Sequence, residues 1–577
     1  MGVPPTHPKA QRYLAAGLFR KLSNFAELEA RISALETKQE RGDAFEVFVE
    51  AFLATQSISQ AKHVWATNIP PTVRKKLNLP KGDEGADGAY ETDQGEWVAY
   101  QAKFRSGRAS LSWGELSTFF GLTDEADQRV LLTNSNRVAA TAKARSRFHA
   151  FRGRDLEQLE EADFKRIVTW LKGGEVKHKP LKPFPHNRAA LKNIKKHIGD
   201  HDRGRVIMAC GTGKTLVALW AAEQAGAKKI LVLVPSLSLL QQTLEVWARS
   251  HQWGEQFRYL AVCSDTTVTR GVDAISLTPQ DLSFRVSTDA AEVNRFLKSP
   301  GKAVKVIFST YQSSEVVAEG NGRASPFDMG IFDEAHKTAG REGTKFSFAL
   351  KDENLRIKKR LFFTATPRHY NISKKNKEGE ASLVYSMDEE ATYGPVFHRL
   401  SFAKAAEAGV ICKYKVLISV VDSETVNDYM LKHGEVLVAE DLIRARQVAT
   451  QIALDEAVKK SGAQRIITFH SRVDAAKSFA SAEAEGVGTH LPGFSTFHVN
   501  GKQRSDERSD QIKMFRDADK GLITNARCLT EGIDVPAVDM VAFIAPKKSR
   551  VDIVQAVGRA MRMDKDRPEK ETGYILV

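Results

Sequence analysis

The sequence predicts an α/β protein of several domains, a small N-terminal domain built around a hairpin and then two domains on parallel sheets. Three observations carry this. Residues 205 to 215 read Arg-Val-Ile-Met-Ala-Cys-Gly-Thr-Gly-Lys-Thr, an apolar run, a glycine-bracketed turn and then the helix-forming stretch Leu216 to Glu223. Further short apolar runs follow, and each ends in a polar group, as parallel strands do when a site lies at their carboxyl edge. Residues 83 to 103 contain the turn Asp93-Gln94-Gly95 between two strand-like stretches, which reads as a hairpin.

A chain of 577 residues is long enough for three or four domains. At 42% hydrophobic and 27% charged residues it has the balance of a folded chain. The net charge of +14 favours a polyanionic partner such as nucleic acid. Four cysteines without a C-x-x-C pair argue against a zinc ribbon or a disulfide framework and fit a reducing, cytoplasmic compartment. No apolar run exceeds a strand in length, so no membrane-spanning segment is expected.

In chain order, Leu18, Leu22, Phe25, Leu28, Ile32 and Leu35 fall at helical spacing, predicting a helix over 18–36 with a capping signal at Asn24 and Glu27. A second helix is expected over 41–53, with Phe45, Phe48, Val49 and Phe52 buried and Glu46 and Glu50 beside that stripe. On the second strand of the hairpin, Trp97, Ala99, Gln101 and Lys103 share one face, so Gln101 and Lys103 can face Asp87 on the first. Val130 to Asn134 reads as another core strand. The basic stretch after it, from Lys143 to Arg154, reads as a helix able to track phosphates. Between Gly173 and Pro185 the composition shifts to Gly, Lys and Pro, a linker.

The stretch from 205 to 223 is the construction that cradles a triphosphate. Gly211, Thr212 and Gly213 would curl backbone amides inward, Lys214 would meet the β/γ oxygens of ATP, and the Thr215 hydroxyl would hold Mg²⁺. Met208 stands where the general phosphate-loop pattern has Gly. Downstream come Pro235-Ser236-Leu237, Ser309-Thr310-Tyr311-Gln312, Asp333-Glu334-Ala335-His336 and Thr364-Ala365-Thr366-Pro367. Later come His470-Ser471-Arg472, the run Leu522 to Pro536 with Gly532 and Asp534, and Gln555-Ala556-Val557-Gly558-Arg559-Ala560-Met561-Arg562.

This ordered set resembles motifs I to VI of superfamily 2 helicases and translocases over residues 186–577. The resemblance implies two RecA-like lobes with ATP between them and DNA across their top. Asp333 would hold Mg²⁺, Glu334 would orient the attacking water, and His336 would link the nucleotide to motif III. Arg559 and Arg562, three apart on one helical face, would reach the γ-phosphate from the opposite lobe. Gly532, Asp534 and Gln555 would complete the nucleotide side. Asn187 stands near the place where such motors carry an adenine-reading Gln, a departure that leaves base recognition open.

Asp87 with Gln101-x-Lys103 resembles the PD-(D/E)xK nuclease core in its Mrr-like restriction form. That implies a restriction-endonuclease-like domain in which Asp87, Gln101 and the Ala102 carbonyl hold Mg²⁺ and Lys103 positions water and stabilises the phosphate. Glu46 matches the acidic position that often completes such sites, and Asp83 is a further acidic candidate. Gln101 replaces the commoner Glu, which lowers the charge at the metal.

A nuclease of this kind ahead of such a motor resembles type ISP restriction enzymes and, more distantly, type I motor subunits. The expected domains are a helical arm at 1–40, the nuclease domain at 41–172, the linker at 173–185, and lobes at 186–395 and 396–577. Type ISP chains continue into methyltransferase and target-recognition modules. None is recognisable here, so such modules are expected as partners, and the second lobe is expected to be truncated at its C-terminal end. The implied activity is ATP-dependent translocation on double-stranded DNA coupled to Mg²⁺-dependent cleavage. Two alternatives stay open, a repair or remodelling motor whose N-terminal domain binds DNA without cutting, and an RNA helicase with an accessory domain.

Overall fold

Alternating side chains along Gly88–Thr92 and Trp97–Lys103 let each strand bury both faces, and the two pair antiparallel around a turn with Gly95 at φ +79°. In the computed structural model these are β2 and β3 of a five-stranded sheet, in order β1-β2-β3-β4-β5. Here β1 is Ala61–Trp65, β4 is Gln128–Thr133 and β5 is Phe148–Phe151. β1 to β3 run antiparallel, and β3 to β5 run parallel. The structure describes residues 5–577 apart from 68, 80–84, 177–179, 264–277, 323–324, 342–344, 370–383, 423, 427, 429–441, 482–485, 492, 527–528, 530–537, 547–548 and 565–566. Asp83, Gly532 and Asp534, and the Lys-rich stretch after residue 370, therefore lie outside the described residues.

The helix Lys38–Thr55 covers one face of this sheet. Thr37 and Glu40 form a reciprocal cap that starts it three residues earlier than expected. The stretch expected to be one helix over 18–36 is helical only at Phe25–Ser33, after a separate turn of helix at Ala10–Ala15. Asn24 has extended backbone and accepts a hydrogen bond from the Glu27 N–H at 3.0 Å, so the helix cannot begin before Phe25. Leu18, Leu22, Phe25, Leu28 and Ile32 are nonetheless buried. They share a core with Phe45, Phe48, Tyr100 and Trp170, so the segment from Ala10 to Leu35 is part of the N-terminal domain rather than a separate arm.

The basic stretch after β4 also differs. It is helical at Ala140–Lys143, forms β5, and turns helical again only at Gly153–Leu156. The Phe-His-Ala-Phe run pairs with β4 and buries Ala150 and Phe151, and this overrides helix propensity.

From Arg203 the chain builds an eight-stranded sheet, in order β15-β6-β13-β11-β7-β10-β8-β9. Its strands are β6 Arg203–Met208, β7 Lys229–Val234, β8 Phe257–Val262, β9 Val286–Ser287, β10 Val304–Thr310, β11 Phe327–Phe332, β13 Ile357–Thr364 and β15 Val396–Leu400. All neighbouring pairs are parallel, and the short β12 (Gly340–Arg341) and β14 (Val384–Tyr385) make a separate antiparallel ribbon. Because β15 pairs with β6, the first lobe runs past the expected boundary at 395.

The second lobe begins at β16, Lys413–Leu417. Its six parallel strands lie in the order β16-β21-β20-β17-β19-β18. They are β17 Arg465–Phe469, β18 Ser495–His498, β19 Gly521–Asn525, β20 Met540–Phe543 and β21 Thr572–Leu576. Among the described residues no helix is long and apolar enough to cross a membrane.

The N-terminal domain is docked on both lobes. Gln60 bonds the backbone of Tyr259 through both ends of its amide, at 3.2 and 3.3 Å, and the Tyr259 hydroxyl donates to the Ile58 carbonyl at 2.7 Å. Arg152, fully buried, donates to the Gln280 and Asp281 carbonyls, and Arg154 also donates to that of Asp281. These two arginines of the expected phosphate-tracking stretch are spent on a domain interface. On the second lobe, the helix Ser505–Asp517 meets Arg137 through Asp510 at 2.8 Å and Glu157 through Lys513 at 3.4 Å.

Candidate active sites

The parallel order β6-β13-β11 brings three loops side by side at the carboxyl edge of the first lobe. β6 leads into the glycine loop, whose Gly211 and Gly213 take φ of +80° and +84°. Left-handed backbone there is what only glycine adopts at little cost. Lys214 opens the helix Lys214–Gln224, and Thr215 stands in its first turn. Thr212 does not reach outward. Its hydroxyl donates to the Ala209 carbonyl at 2.7 Å and braces the loop. Asn187, wholly buried, donates to the Thr212 carbonyl at 2.9 Å, so it props the loop from behind instead of reading a base.

β11 ends in Asp333 and Glu334. Glu334 holds φ at +46°, an unusual conformation for a non-glycine residue and one found at functional sites. Its carboxylate lies 4.0 Å from the Lys214 ammonium and 3.3 Å from His336 Nδ1. His336 in turn meets the Thr364 hydroxyl at the end of β13, at 3.0 Å, the expected link to motif III.

The electrostatics set these groups apart. Burial works against ionisation of Glu334, but Lys214 and His336 outweigh it and hold the carboxyl below its usual range. Asp333 is pushed up, by burial first and then by the charge of Glu334. Burial opposes the charge on Lys214. The neighbouring Cys210 thiol is itself held protonated by burial, so Glu334 and Asp333 are what keep the ammonium charged. One cation thus serves two carboxylates, and a divalent cation beside Asp333 would relieve the excess negative charge. The donors present fit Mg²⁺.

The second lobe closes onto this loop. A Cβ on Gly558 would lie 2.7 Å from the Cβ of Cys210, and one on Gly211 would lie 3.8 Å from the Cγ of Arg562. Arg559 is buried, and both arginines act on the Cys210 thiol. The two do not share one helix, however. The helix Arg550–Ala560 ends before Arg562, and Lys570 donates to the carbonyls of Ala560 and Arg562, at 2.8 and 2.6 Å, at that end. In Gln555 the side-chain oxygen is buried with no hydrogen-bond partner among the described residues.

The hairpin site is smaller. Asp87 stands just before β2, not on it. Its Oδ2 accepts the Ala102 N–H at 2.7 Å, and its own N–H donates to the Tyr100 carbonyl at 3.0 Å. This register sets Asp87 opposite Gln101. Gln101 is 2% exposed and donates its amide to the Gly85 carbonyl at 2.7 Å, while its Oε1 is buried with no hydrogen-bond partner among the described residues. An orphaned acceptor beside a carboxylate is costly by itself and suits a hard cation. Lys103, half-buried, closes the end of β3.

Glu46, Glu50 and Asp87 all act on the buried Tyr100 phenol, which burial and these carboxylates raise far above its ordinary range. Among the described residues no three His, Cys, Asp or Glu side chains form a ready-made metal cluster, so a cation there would rely on Gln101 and the backbone. Sequence reasoning missed Thr6 and His7, which bond Glu50 and Glu46. Separations of 44 and 39 residues leave no local signal for such contacts.

Fold and site together have the arrangement of two RecA-like lobes behind a smaller α/β domain, similar to superfamily 2 helicases. Residues 180–369 match the family model described as "Type III restriction enzyme, res subunit", and residues 449–564 match "Helicase conserved C-terminal domain". In structure the chain resembles the "ATP-dependent Type ISP restriction-modification enzyme LlaBIII bound to DNA", with a TM-score of 0.75 at 26% identity. That match covers 96% of this chain and 37% of the other. "Probable helicase A859L" of African swine fever virus is 27% identical over 380 residues, 63% of this chain and 38% of that protein. The chain thus spans well under half the length of either relative.

Proposed function

We propose that the chain is an ATP-driven motor that moves along double-stranded DNA and carries a Mg²⁺-dependent endonuclease at its N-terminal end, as in restriction of foreign DNA. The observation that carries the motor reading is the split site. Lys214, Asp333 and Glu334 come from one lobe, and Arg559 and Arg562 come from the other.

Held ionised, Glu334 accepts a hydrogen bond from the water that attacks the γ-phosphorus, and the bridging oxygen leaves with ADP. Lys214 and the two arginines stabilise the charge that develops, and an arginine supplied this way contributes roughly 10³- to 10⁵-fold in rate. Thr215 and Asp333 would hold Mg²⁺, which would supply positive charge to offset that of the phosphates. Since two of the three cationic side chains arrive with the second lobe, hydrolysis waits for closure, and opening and closing is the movement. The net charge of +14 and the DNA-bound structural relative support a backbone-tracking mode on DNA, largely blind to sequence.

For the nuclease, the support is Asp87 paired with the orphaned Gln101 oxygen. Those two groups and the Ala102 carbonyl would hold Mg²⁺, which supplies Lewis acidity to the scissile phosphate. Lys103 stabilises charge on that phosphate. Methyltransferase and target-recognition modules belong to the same reading as partners, in the cytoplasm.

Plasmid incubated with ATP and Mg²⁺ tests both halves. Asp87→Ala abolishes cleavage and spares ATP hydrolysis, while Lys214→Ala abolishes DNA-stimulated hydrolysis. Unchanged cleavage or unchanged turnover sinks the corresponding half. A second reading, a motor whose N-terminal domain binds DNA without cutting, is favoured by the Gln101 amide being tied to Gly85 and by there being no metal-ready carboxylate cluster among the described residues. Wild-type protein that hydrolyses ATP but nicks nothing with Mg²⁺ or Mn²⁺ would establish it.

A further inference from the structure

Tyr311 follows Thr310, the last residue of β10, and is wholly buried. The Ser314 hydroxyl donates to its carbonyl at 2.7 Å and fixes the backbone there. Its ring packs on Phe332 and Phe346, with centroids 6.2 and 5.7 Å away. From that position the phenol hydroxyl donates to the Asp333 carbonyl at 2.7 Å. A carbonyl only accepts, so the proton lies on the tyrosine. β10 and β11 are not neighbours, because β7 lies between them. Two strand spacings are about 9–10 Å, a gap that a tyrosine side chain and one hydrogen bond can cross and a serine or threonine cannot.

The Asp333 carbonyl and the Glu334 N–H belong to one rigid peptide plane. Tyr311 holds the carbonyl end, and Asp333 Oδ1 accepts from the N–H end at 3.0 Å. Orientation of that plane sets φ of Glu334, which is +46° with ψ also +46°. A non-glycine residue persists in left-handed backbone only where its surroundings over-determine it. Of the two clamps, the Asp333 carboxylate is also the group proposed to hold Mg²⁺, and a cation there competes with the N–H for it. The phenol is the clamp independent of the cation. Beyond the plane, the Glu334 carboxylate lies 4.0 Å from Lys214 and 3.3 Å from His336, so a turn of the plane would swing it off both.

We infer that Tyr311 is a positioning residue for ATP hydrolysis. Its hydroxyl locks the 333–334 peptide, and the lock aims the Glu334 carboxylate at the attacking water. The inference rests on the reading of Glu334 as the group that orients that water. Tyr311 acts through the backbone of the turn and not on the nucleotide, so its effect falls on turnover and not on ATP binding.

The test uses the full chain with DNA. Turnover is followed by phosphate release, and nucleotide affinity by equilibrium titration with a fluorescent ATP analogue. Tyr311→Phe keeps the ring and its packing and lowers kcat by about ten- to a hundredfold, with the Kd for nucleotide unchanged. Tyr393→Phe removes a different buried hydroxyl, the partner of Thr338 at 3.0 Å in the loop after Asp333, and keeps kcat near that of the wild type. In a Glu334→Gln background, Tyr311→Phe adds nothing further to the single-turnover rate. Four results would each overturn the inference and leave the role of Glu334 standing. They are wild-type kcat in Tyr311→Phe, an equal loss in Tyr393→Phe, nucleotide binding weakened in step with kcat, and a further loss in the Glu334→Gln background. Full turnover in Glu334→Gln itself removes the role of Glu334, and that of Tyr311 with it.

Discussion

Gly558 stands where the two lobes touch, and an added methyl group would press against Cys210 with the two Cβ atoms 2.7 Å apart. Overpacking of that kind costs about 1–3 kcal/mol, and here the cost falls on the closed state alone. Gly558→Ala is therefore expected to slow DNA-stimulated ATP hydrolysis about tenfold to a hundredfold while nucleotide affinity in the open form is kept. Pairing it with Cys210→Gly recovers part of the rate, as steady-state phosphate release would show. Unaltered hydrolysis in the single variant would mean that closure does not require this contact. Residue identities at the motor site were legible because Gly-Thr-Gly-Lys-Thr and Asp-Glu-Ala-His each lie within a few positions of chain. What could not be read was how neighbours hold them: the left-handed Glu334, the Thr212 hydroxyl turned back to Ala209, and Asn187 bracing the loop.

Elements followed their local chemistry where hydrophobic period and end signals agreed. The strands that carry the motor motifs fell where apolar runs met polar ends, since a strand buried on both faces has no other signature. The helices around residues 18–36 and 143–154 did not follow expectation, because Asn24 caps one and burial of Phe148 to Phe151 makes the other a strand. The helix Leu237–Ser250 bears a titration that only packing creates. Glu245 on it borders a cavity of about 850 Å³ between the N-terminal domain and both lobes. Burial, and then the nearby Asp155 charge, push its carboxyl up from 4.5 to about 7. Between those values the folded chain holds a proton that the unfolded chain releases, so stability is highest at low pH and falls as pH rises toward 7. Glu245→Gln should flatten that part of the Tm–pH profile and raise Tm at pH 8. A profile identical to wild type would show that the cavity keeps Glu245 well solvated.

Across the whole molecule, one acidic side chain ties the three domains together. Asp281 of the first lobe lies 3.4 Å from Lys143 and 3.6 Å from the buried Arg152, both of the N-terminal domain, and accepts from the Ser505 hydroxyl of the second lobe at 2.9 Å. Burial opposes its charge, but Lys143 and Arg152 override this and hold the carboxyl far below its usual range. Its removal takes away one of the carboxylates that, with Asp155, offset the buried Arg152 guanidinium, a loss of up to about 3–5 kcal/mol. Asp281→Ala should lower Tm, and an unchanged Tm would count against a shared junction. By itself the sequence indicated the α/β order, the ordered motifs and the residues proposed to meet ATP, because each depends on a strand end, a glycine turn or a short spacing. Tertiary structure alone decided that Ala10 to Leu35 belong to the N-terminal core, that Val396–Leu400 completes the first lobe, and that Arg152 is spent on an interface. It alone brought Arg562 to Gly211 and His7 to Glu46, because such contacts join residues tens to hundreds of positions apart and no local pattern records them.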